Sequence, residues 1–470
     1  MSGHIELVTP PFAGHLHPVL GIGVELARRG LPVRVVSTAA ARAQIEAAGL
    51  SAVALATADD GLIAAIADPP ERIGRHPLRL HRQFRSTLGV LATISAELDA
   101  RYDADPPAVV VADFTLPVAG VIGLRHGARW VTSHPSPVAI GSTDGTPAYL
   151  GGLLPPRGAA GRLRDAAGRT AVRAFKRGVF ALNAGPLREL GFSGAFRPDG
   201  TEQVYSPDLV LALGLAGLEL PRTWPPAVRF VGPVRYTPPG RPGAWGTARA
   251  TDAAGGTWEP DGASRTGEPP RPRVLVSRGT HLAGETARLL DAVERAAALL
   301  PEVAFEMTLG GTHRPADRPL GPAGGRSGEA TDAPLGRVRL LDYADYGALG
   351  RYDAIVHHGG TGIAQAALAA GRPSVVIPVD YDQPDIAARL VHHDLAERLH
   401  PSDLRGEAGA RRLADAVGRA LRPSRERSAA LTRFRAACAA ADGAVGAADL
   451  IEQAVAARHP IGDGTTGAHA

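Results

Sequence analysis

The run His357-His358-Gly359-Gly360-Thr361-Gly362 has the makings of a phosphate cradle. It follows an apolar stretch, Ala354 to Val356, and precedes a segment with Ile363, Ala367 and Ala370 on one helical face. The pattern reads as strand, glycine-rich turn and helix start. Glycines let the backbone approach a ligand closely, and the first N–H groups of a helix, at the positive end of its dipole, favour phosphate oxygens. A diphosphate held there is stabilised both when bound and when it departs. A tight turn without a ligand is the plain alternative, and spacing alone does not separate the two. The next segment favours the phosphate reading. After Gly371-Arg372-Pro373 and the apolar strand Ser374 to Ile377 comes Pro378-Val379-Asp380-Tyr381-Asp382-Gln383-Pro384. Acid and amide side chains then stand at the carboxyl end of a neighbouring strand, where open parallel sheets bind ligands. Asp380 and Asp382 also have the spacing of a divalent-cation pair. With Gln383 beside them and a helix start for the leaving group, a metal is unnecessary, and neither metal nor other cofactor is expected.

These residues need strands and helices to position them. His4 to Val8 reads as a strand leading through a Pro/Gly turn to a helix opening at Pro18, with Gly30 as its stop. Val33 to Val36, Val109 to Ala112 and Trp130 to Thr132 are further strands, the last two separated by a helix from Phe114 to His126. Strands alternating with helices predict a parallel, doubly wound sheet. Pro238 to Pro272 is dense in Pro, Gly, Thr and Ala and reads as a linker. The alternation restarts after it with strand Val274 to Ser277, a helix with Leu289, Val293, Ala296 and Leu300 in one stripe, and strand Val303 to Met307. Thr312 to Arg337 reads as a projecting loop before strand Val338 to Leu341. Helices around Ala429 to Ala457 precede a Gly/Thr/His tail read as disordered. The expected domains are 1–237, a linker at 238–272, a second domain at 273–440, and a terminal helix and tail at 441–470.

The bulk numbers agree with this plan. A chain of 470 residues, 44% hydrophobic and 21% charged, is ordinary globular material of a length that suggests two cores. A formal charge of +4 without blocks of like charge gives no indication of nucleic-acid binding. The single cysteine, Cys438, cannot form an internal disulfide, and a reducing cytoplasm is expected. Neither a signal peptide nor an apolar run long enough to span a bilayer is apparent.

The stretch from His357 to Leu390 resembles the donor-binding signature of the family 1 glycosyltransferases, similar to bacterial macrolide and carotenoid enzymes. The resemblance implies an α/β chain of GT-B fold, with two Rossmann-like, doubly wound parallel-sheet domains facing a central cleft. It further implies that His358 and the turn Gly359, Gly360, Thr361 and Gly362 hold the diphosphate of a nucleotide sugar. Asp382 and Gln383 would bond the sugar hydroxyls. Ser277-Arg278-Gly279-Thr280, at the end of the second domain's first strand, resembles the family's Ser-x-Gly-Thr loop beside the phosphates, although Ser277 or Thr280 could simply cap a helix. Tyr343 takes the position of a Trp that stacks on the nucleobase, with core packing as the alternative. Ile363 stands where many relatives carry a phosphate-binding hydroxyl, and Ala344-Asp345 replaces a common Pro-Gln beside the base. Arg278, unusual in its loop, is expected to supply the charge instead.

On the acceptor side, Gly14-His15-Leu16-His17-Pro18, placed in the loop after the first strand, resembles the family's Gly-His-x-x-Pro element. His15 would then be the catalytic base, a task suited to an imidazole with an ordinary pKa near 6.5. Asp113, at the end of its strand, matches the family's orienting aspartate, though it could also serve only as a helix cap. Trp130 to Pro137 and Thr146 to Gly152 are expected to line the acceptor pocket. A basic amphipathic helix is expected from Arg162 to Ala184, with Val172, Phe175, Val179 and Leu182 on one face. That face either packs onto the first domain or makes peripheral membrane contact through 162–184.

The combined expectation is an inverting, metal-independent transfer from a UDP- or dTDP-sugar to a hydroxyl of a small, lipophilic natural product. A dinucleotide oxidoreductase would need G-x-G-x-x-G after the first strand, where Pro11-Phe12-Ala13-Gly14-His15 stands instead. A non-catalytic or auxiliary nucleotide-sugar-binding protein of the same fold is the remaining alternative, against which the presence of both His15 and Asp113 argues.

Overall fold

The computed structural model describes residues 3–67, 77–238, 271–279, 286–308, 334–335, 337–341 and 344–456. Thr280, Tyr343, most of the expected linker, most of the expected 312–337 loop and the 457–470 tail lie outside the described residues.

Among the described residues the strands form two sheets of seven. The first contains β1 (Ile5–Val8), β2 (Val33–Ser37), β3 (Ser51–Ala54), β4 (Val109–Asp113), β5 (Arg129–His134), β6 (Leu209–Ala212) and β7 (Val228–Phe230). The second contains β8 (Arg273–Ser277), β9 (Ala304–Thr308), β10 (Pro334–Leu335), β11 (Val338–Leu341), β12 (Ala354–His357), β13 (Ser374–Val376) and β14 (Ala396–Arg398). All the pairings are parallel except β10 with β11. The runs rich in Val, Ile and Leu are buried because helices cover both faces of each sheet, as parallel sheets require. The helices are α1 (Ala13–Arg28), α2 (Arg42–Ala47), α3 (Asp60–Ala67), α4 (Pro77–Ala104), α5 (Pro117–Arg125), α6 (Gly158–Leu182), α7 (Ala184–Glu189), α8 (Thr286–Leu299), α9 (Thr361–Ala370), α10 (Gln383–His392), α11 (Gly406–Leu421), α12 (Arg425–Ala440) and α13 (Gly443–Ala456).

The strand orders matter most for function. The first sheet runs β3-β2-β1-β4-β5-β6-β7 and the second β10-β11-β9-β8-β12-β13-β14. In each, the order reverses between two adjacent strands, β1 and β4 in one, β8 and β12 in the other. Crossovers leave those two strands in opposite directions, so a crevice opens at their carboxyl ends. The register pairs Val8 with Ala112 and Ser277 with His357, which brings the segments following each pair level with one another.

Two helix starts differ from the sequence expectation. Helix α1 begins at Ala13, not Pro18, with the N–H groups of His15 and Leu16 both donating to the Phe12 carbonyl at 2.9 and 2.8 Å. Proline signals a first turn, but here its missing N–H removes only one ladder bond from a helix anchored by buried Leu16, Val19 and Leu20. His15 therefore sits in a helical first turn, not in a loop. Helix α5 begins at Pro117, because the Asp113 carboxylate captures the Thr115 N–H and hydroxyl and holds residues 114 to 116 as a turn.

The chain also crosses back. Helix α13 packs on α1 through Ala447, Ala448 and Ile451 in the core of the first sheet. Arg29 reaches Asp449 at 2.7 Å and Glu452 at 2.6 Å beside it.

Candidate active site

The β1/β4 crevice holds His15 and Asp113. Asp113 closes β4 and is fully buried. Its Oδ2 accepts from His15 Nδ1 at 2.9 Å, while Oδ1 accepts from the Thr115 N–H and hydroxyl at 2.9 and 2.6 Å. With Nδ1 donating to a carboxylate, the lone pair of His15 lies on Nε2. The His15 side chain is 24% exposed. Burial pushes the imidazolium down, but the charge and hydrogen bond of Asp113, helped by the charge of Asp382, more than offset it and leave His15 above its ordinary value. Burial pushes Asp113 up, and His15 and Thr115 together outweigh that and hold it below the usual carboxylate range.

The imidazole is fixed by stacking as well as by bonding. Phe114 lies against His15 with centroids 5.6 Å apart and planes at 22°, and its other contact, His134, stacks at 4.1 Å and 7°. His134 is buried, and desolvation lowers it to about 3, so it stays neutral. It adds no charge that would compete with protonation of His15. Sequence reasoning missed Phe114 and Thr115 as site residues and placed His134 only within the stretch Trp130 to Pro137 expected to line the acceptor pocket. Thr115 had a readable signal, since a hydroxyl two residues after an aspartate forms local turns; the stack had none.

The β8/β12 crevice gathers the expected donor residues. Ser277, Arg278, His357, His358 and Gln383 line one cavity, with Val276, Leu289 and Ile377 as part of its apolar wall. Helix α9 opens at Thr361 with Gly360 as its N-cap residue and no capping side chain, so its first N–H groups face outward. The His358 ring occupies a slot between two glycines. A Cβ at Gly360 would stand 2.4 Å from His358 Nε2, and one at Gly279, where φ is +82°, 2.4 Å from Cε1. Ile363 is turned into the core with Leu275, Leu349 and Ile355, which accounts for its departure from a hydroxyl.

Asp382 and Gln383 separate. Gln383 Oε1 accepts from the Val379 and Asp380 N–H groups at 2.8 and 3.2 Å, which sets its carboxamide beside the donor cavity. Asp382 instead accepts from the hydroxyl of Ser136, in the turn that follows β5 in the opposite domain. Burial pushes Asp382 up. Asp380 Oδ1 accepts from the Tyr381 N–H at 2.9 Å. Among the described residues no cluster of three or more His, Cys, Asp or Glu could hold a metal ion.

The two crevices face each other. Besides Ser136 and Asp382, the Tyr149 N–H donates to Asp385 at 2.8 Å, Arg389 to Glu219 at 2.8 Å, and Gln365 to the Leu213 carbonyl at 2.7 Å. A second cavity lies on the first-sheet side. Thr146, Pro147, Ala148 and Tyr149 line it with Ile140, Val172, Phe196 and Arg222, whereas Leu150, Gly151 and Gly152 do not. Trp130 does not: it is 3% exposed within the core of the first domain.

No family model matches the chain. The elloramycin glycosyltransferase ElmGT of Streptomyces olivaceus is 37% identical over 259 residues, covering 52% of this chain and 60% of that protein, less than two thirds of its length. The 4'-demethylrebeccamycin synthase of Lentzea aerocolonigenes is 30% identical over 467 residues, covering 96% of this chain and 99% of that one. This chain belongs to the family 1 glycosyltransferases. The crystal structure of the kitacinnamycin glycotransferase matches with a TM-score of 0.68 at 24% identity, over 97% of this chain and 100% of that one, and has the same GT-B fold.

The slot around His358 makes a prediction for this glycosyltransferase. Overpacking a fitted site costs about 1–3 kcal/mol. Gly360→Ala should therefore weaken calorimetric binding of a nucleoside diphosphate by roughly tenfold or more. An unchanged Kd would remove the His358 slot from the donor site.

Proposed function

We propose that the chain is an inverting glycosyltransferase that moves a sugar from a UDP- or dTDP-sugar to a hydroxyl of a small, lipophilic natural product, without a metal and in the cytoplasm. The observation that carries this reading is the buried Asp113 bonded to His15 Nδ1, on the domain opposite the α9 helix start and close enough to feel the charge of Asp382. His15 Nε2 takes the proton of the acceptor hydroxyl as the oxygen forms its bond to the anomeric carbon. The bond from that carbon to the diphosphate oxygen breaks, and its electron pair leaves on the nucleotide. Attack from the face opposite the leaving group inverts the configuration.

The α9 N–H groups, His358 and Arg278 supply the positive field that the departing diphosphate needs, which supports a reaction without a metal. Arg278 is 5% exposed at the wall of the donor cavity, where low dielectric strengthens its charge. Apolar Ile140, Val172 and Phe196 in the second cavity, and the natural products in the relatives' names, support the acceptor class. Cys438 is free and buried, as suits a reducing compartment, and among the described residues no helix is long and apolar enough to cross a membrane.

The test is a panel of nucleotide sugars screened by thermal shift, followed by proton NMR of the product formed from the best stabiliser. An α-linked donor should yield a β-linked product; retention of configuration would sink the single-displacement mechanism. In the same assay Arg278→Ala should weaken donor affinity by about tenfold, the scale of one charge-assisted contact. Unchanged affinity would remove Arg278 from the donor site.

A further inference from the structure

Helix α6 is fastened on its inner side and bare on its outer side. Inward, the Thr146 hydroxyl donates to Asp165, 1% exposed, at 3.0 Å. A Cβ on Gly168 would stand 2.8 Å from Leu150 and 2.9 Å from Pro147, so the helix lies tightly on the loop that lines the acceptor-side cavity. Arg169, Val172, Arg173 and Lys176 line that same cavity.

The outer face departs from the packing alternative of the sequence expectation. Val172 and Val179 are half-buried, but Phe175 is 55% exposed and Leu182 75%, and Leu163 is 72% exposed. At roughly 100° per residue, Phe175 and Leu182 lie a few tens of degrees beyond the two valines, which carries them past the packed edge. The exposed arc between them and Leu163 contains only small residues such as Ala167, Ala174 and Gly178. Arg164 borders this arc on one side and Arg177 on the other, and Arg157, Arg162 and Arg188 are exposed near its ends. From 157 to 189 the only exposed acid is Glu189.

An apolar stripe edged by arginines is the pattern of a helix that lies in a lipid–water interface. A second copy of the chain is a poor occupant, because pairing the stripes would set arginine against arginine. We propose that the outer face of α6 docks the protein onto a bilayer containing anionic phospholipid. Leu163, Phe175 and Leu182 enter the boundary between headgroups and acyl chains, and the bordering arginines pair with lipid phosphates. Docking in this orientation sets the acceptor-side cavity on the far side of a single helix from the bilayer, where a lipophilic compound would be dissolved. The proposal goes beyond the transfer reaction, and its test needs no turnover.

The full chain is sedimented with vesicles of phosphatidylglycerol mixed with phosphatidylcholine, and with vesicles of phosphatidylcholine alone. Retention on the anionic vesicles, released by salt, is expected, with weak retention on the neutral ones. The triple variant Leu163→Ser, Phe175→Ser, Leu182→Ser should partition about tenfold more weakly or worse, and Arg157→Glu with Arg162→Glu should also lose retention. These side chains are on the surface, so both variants should keep the wild-type melting transition and donor binding. Equal retention of wild type and triple variant overturns the proposal. So does wild-type protein that stays in solution while forming a dimer, or a complex with an acidic protein, that the triple variant abolishes.

Discussion

His15→Ala is expected to lower turnover by roughly a thousandfold, within the range that a positioned general base contributes, while leaving the Kd for the nucleotide sugar unchanged. The separation follows from geometry. His15 stands in the β1/β4 crevice with a 24% exposed side chain, whereas the donor cavity is lined by Ser277, Arg278, His358 and Gln383 of the opposite domain. Removing the imidazole deletes the proton acceptor and leaves the diphosphate site as it was. Steady-state kinetics with a saturating acceptor, paired with calorimetry of donor binding, tests both halves. Full activity in the variant would refute the assignment of the base, and lost donor binding would mean that His15 belongs to the other site.

The second large effect concerns Asp113. Asp113→Asn keeps the shape of the side chain and removes its charge. The raised pKa of His15 reflects burial outweighed by Asp113, with a smaller contribution from Asp382. A base must be neutral to work, so the acid limb of kcat/KM in the native protein should fall above the ordinary histidine value of about 6.5. Without the carboxylate, burial prevails and the limb moves to lower pH. At the same time the plateau drops by about a hundredfold or more, because the developing imidazolium has lost its partner and its preferred tautomer. A limb that stays in place, or moves to higher pH, would show that Asp113 does not set the proton affinity of His15.

Stability should follow the same pair. His15 has a raised folded pKa, so its contribution is present below its unfolded value and fades as pH rises through the folded one. Asp113 has a depressed folded pKa, so its contribution is present above its unfolded value and fades as pH falls through the folded one. Both are present from roughly pH 4 to 6.5. The difference in Tm between native protein and Asp113→Asn should be largest there and shrink on the alkaline side.

Particular residues show how much of this was readable in advance. The β12, Gly359-Gly360 and α9 unit announced itself because a strand, a glycine-rich turn and an Ala-rich helix are local features, set by propensity and by spacings of two and 3.6 residues. The parallel sheets were legible for the same reason. The long helix α4 was missed, since Gly89 and the many polar residues of 77–104 blur its period. The onset of α1 was misread because Pro18 is a strong local signal that buried contacts of Leu16 and Leu20 override. Periodicity found the apolar stripe of Val172, Phe175, Val179 and Leu182 but left open whether it packs or faces outward, because it does not say whether anything lies opposite it.

The sequence alone thus determined the two-domain α/β plan, the glycine-rich turn that opens α9, and the residue types at the ends of β1 and β4, all of which depend on neighbours along the chain. Only the tertiary structure decided which residues meet. The strand order brings His15 to Asp113, 98 positions apart in the chain, and sets Ser136 against Asp382 across the cleft. It also packs α13 back onto α1. Such contacts depend on where crossovers place strand ends and on which surfaces must be buried together, and no short window of sequence carries that information.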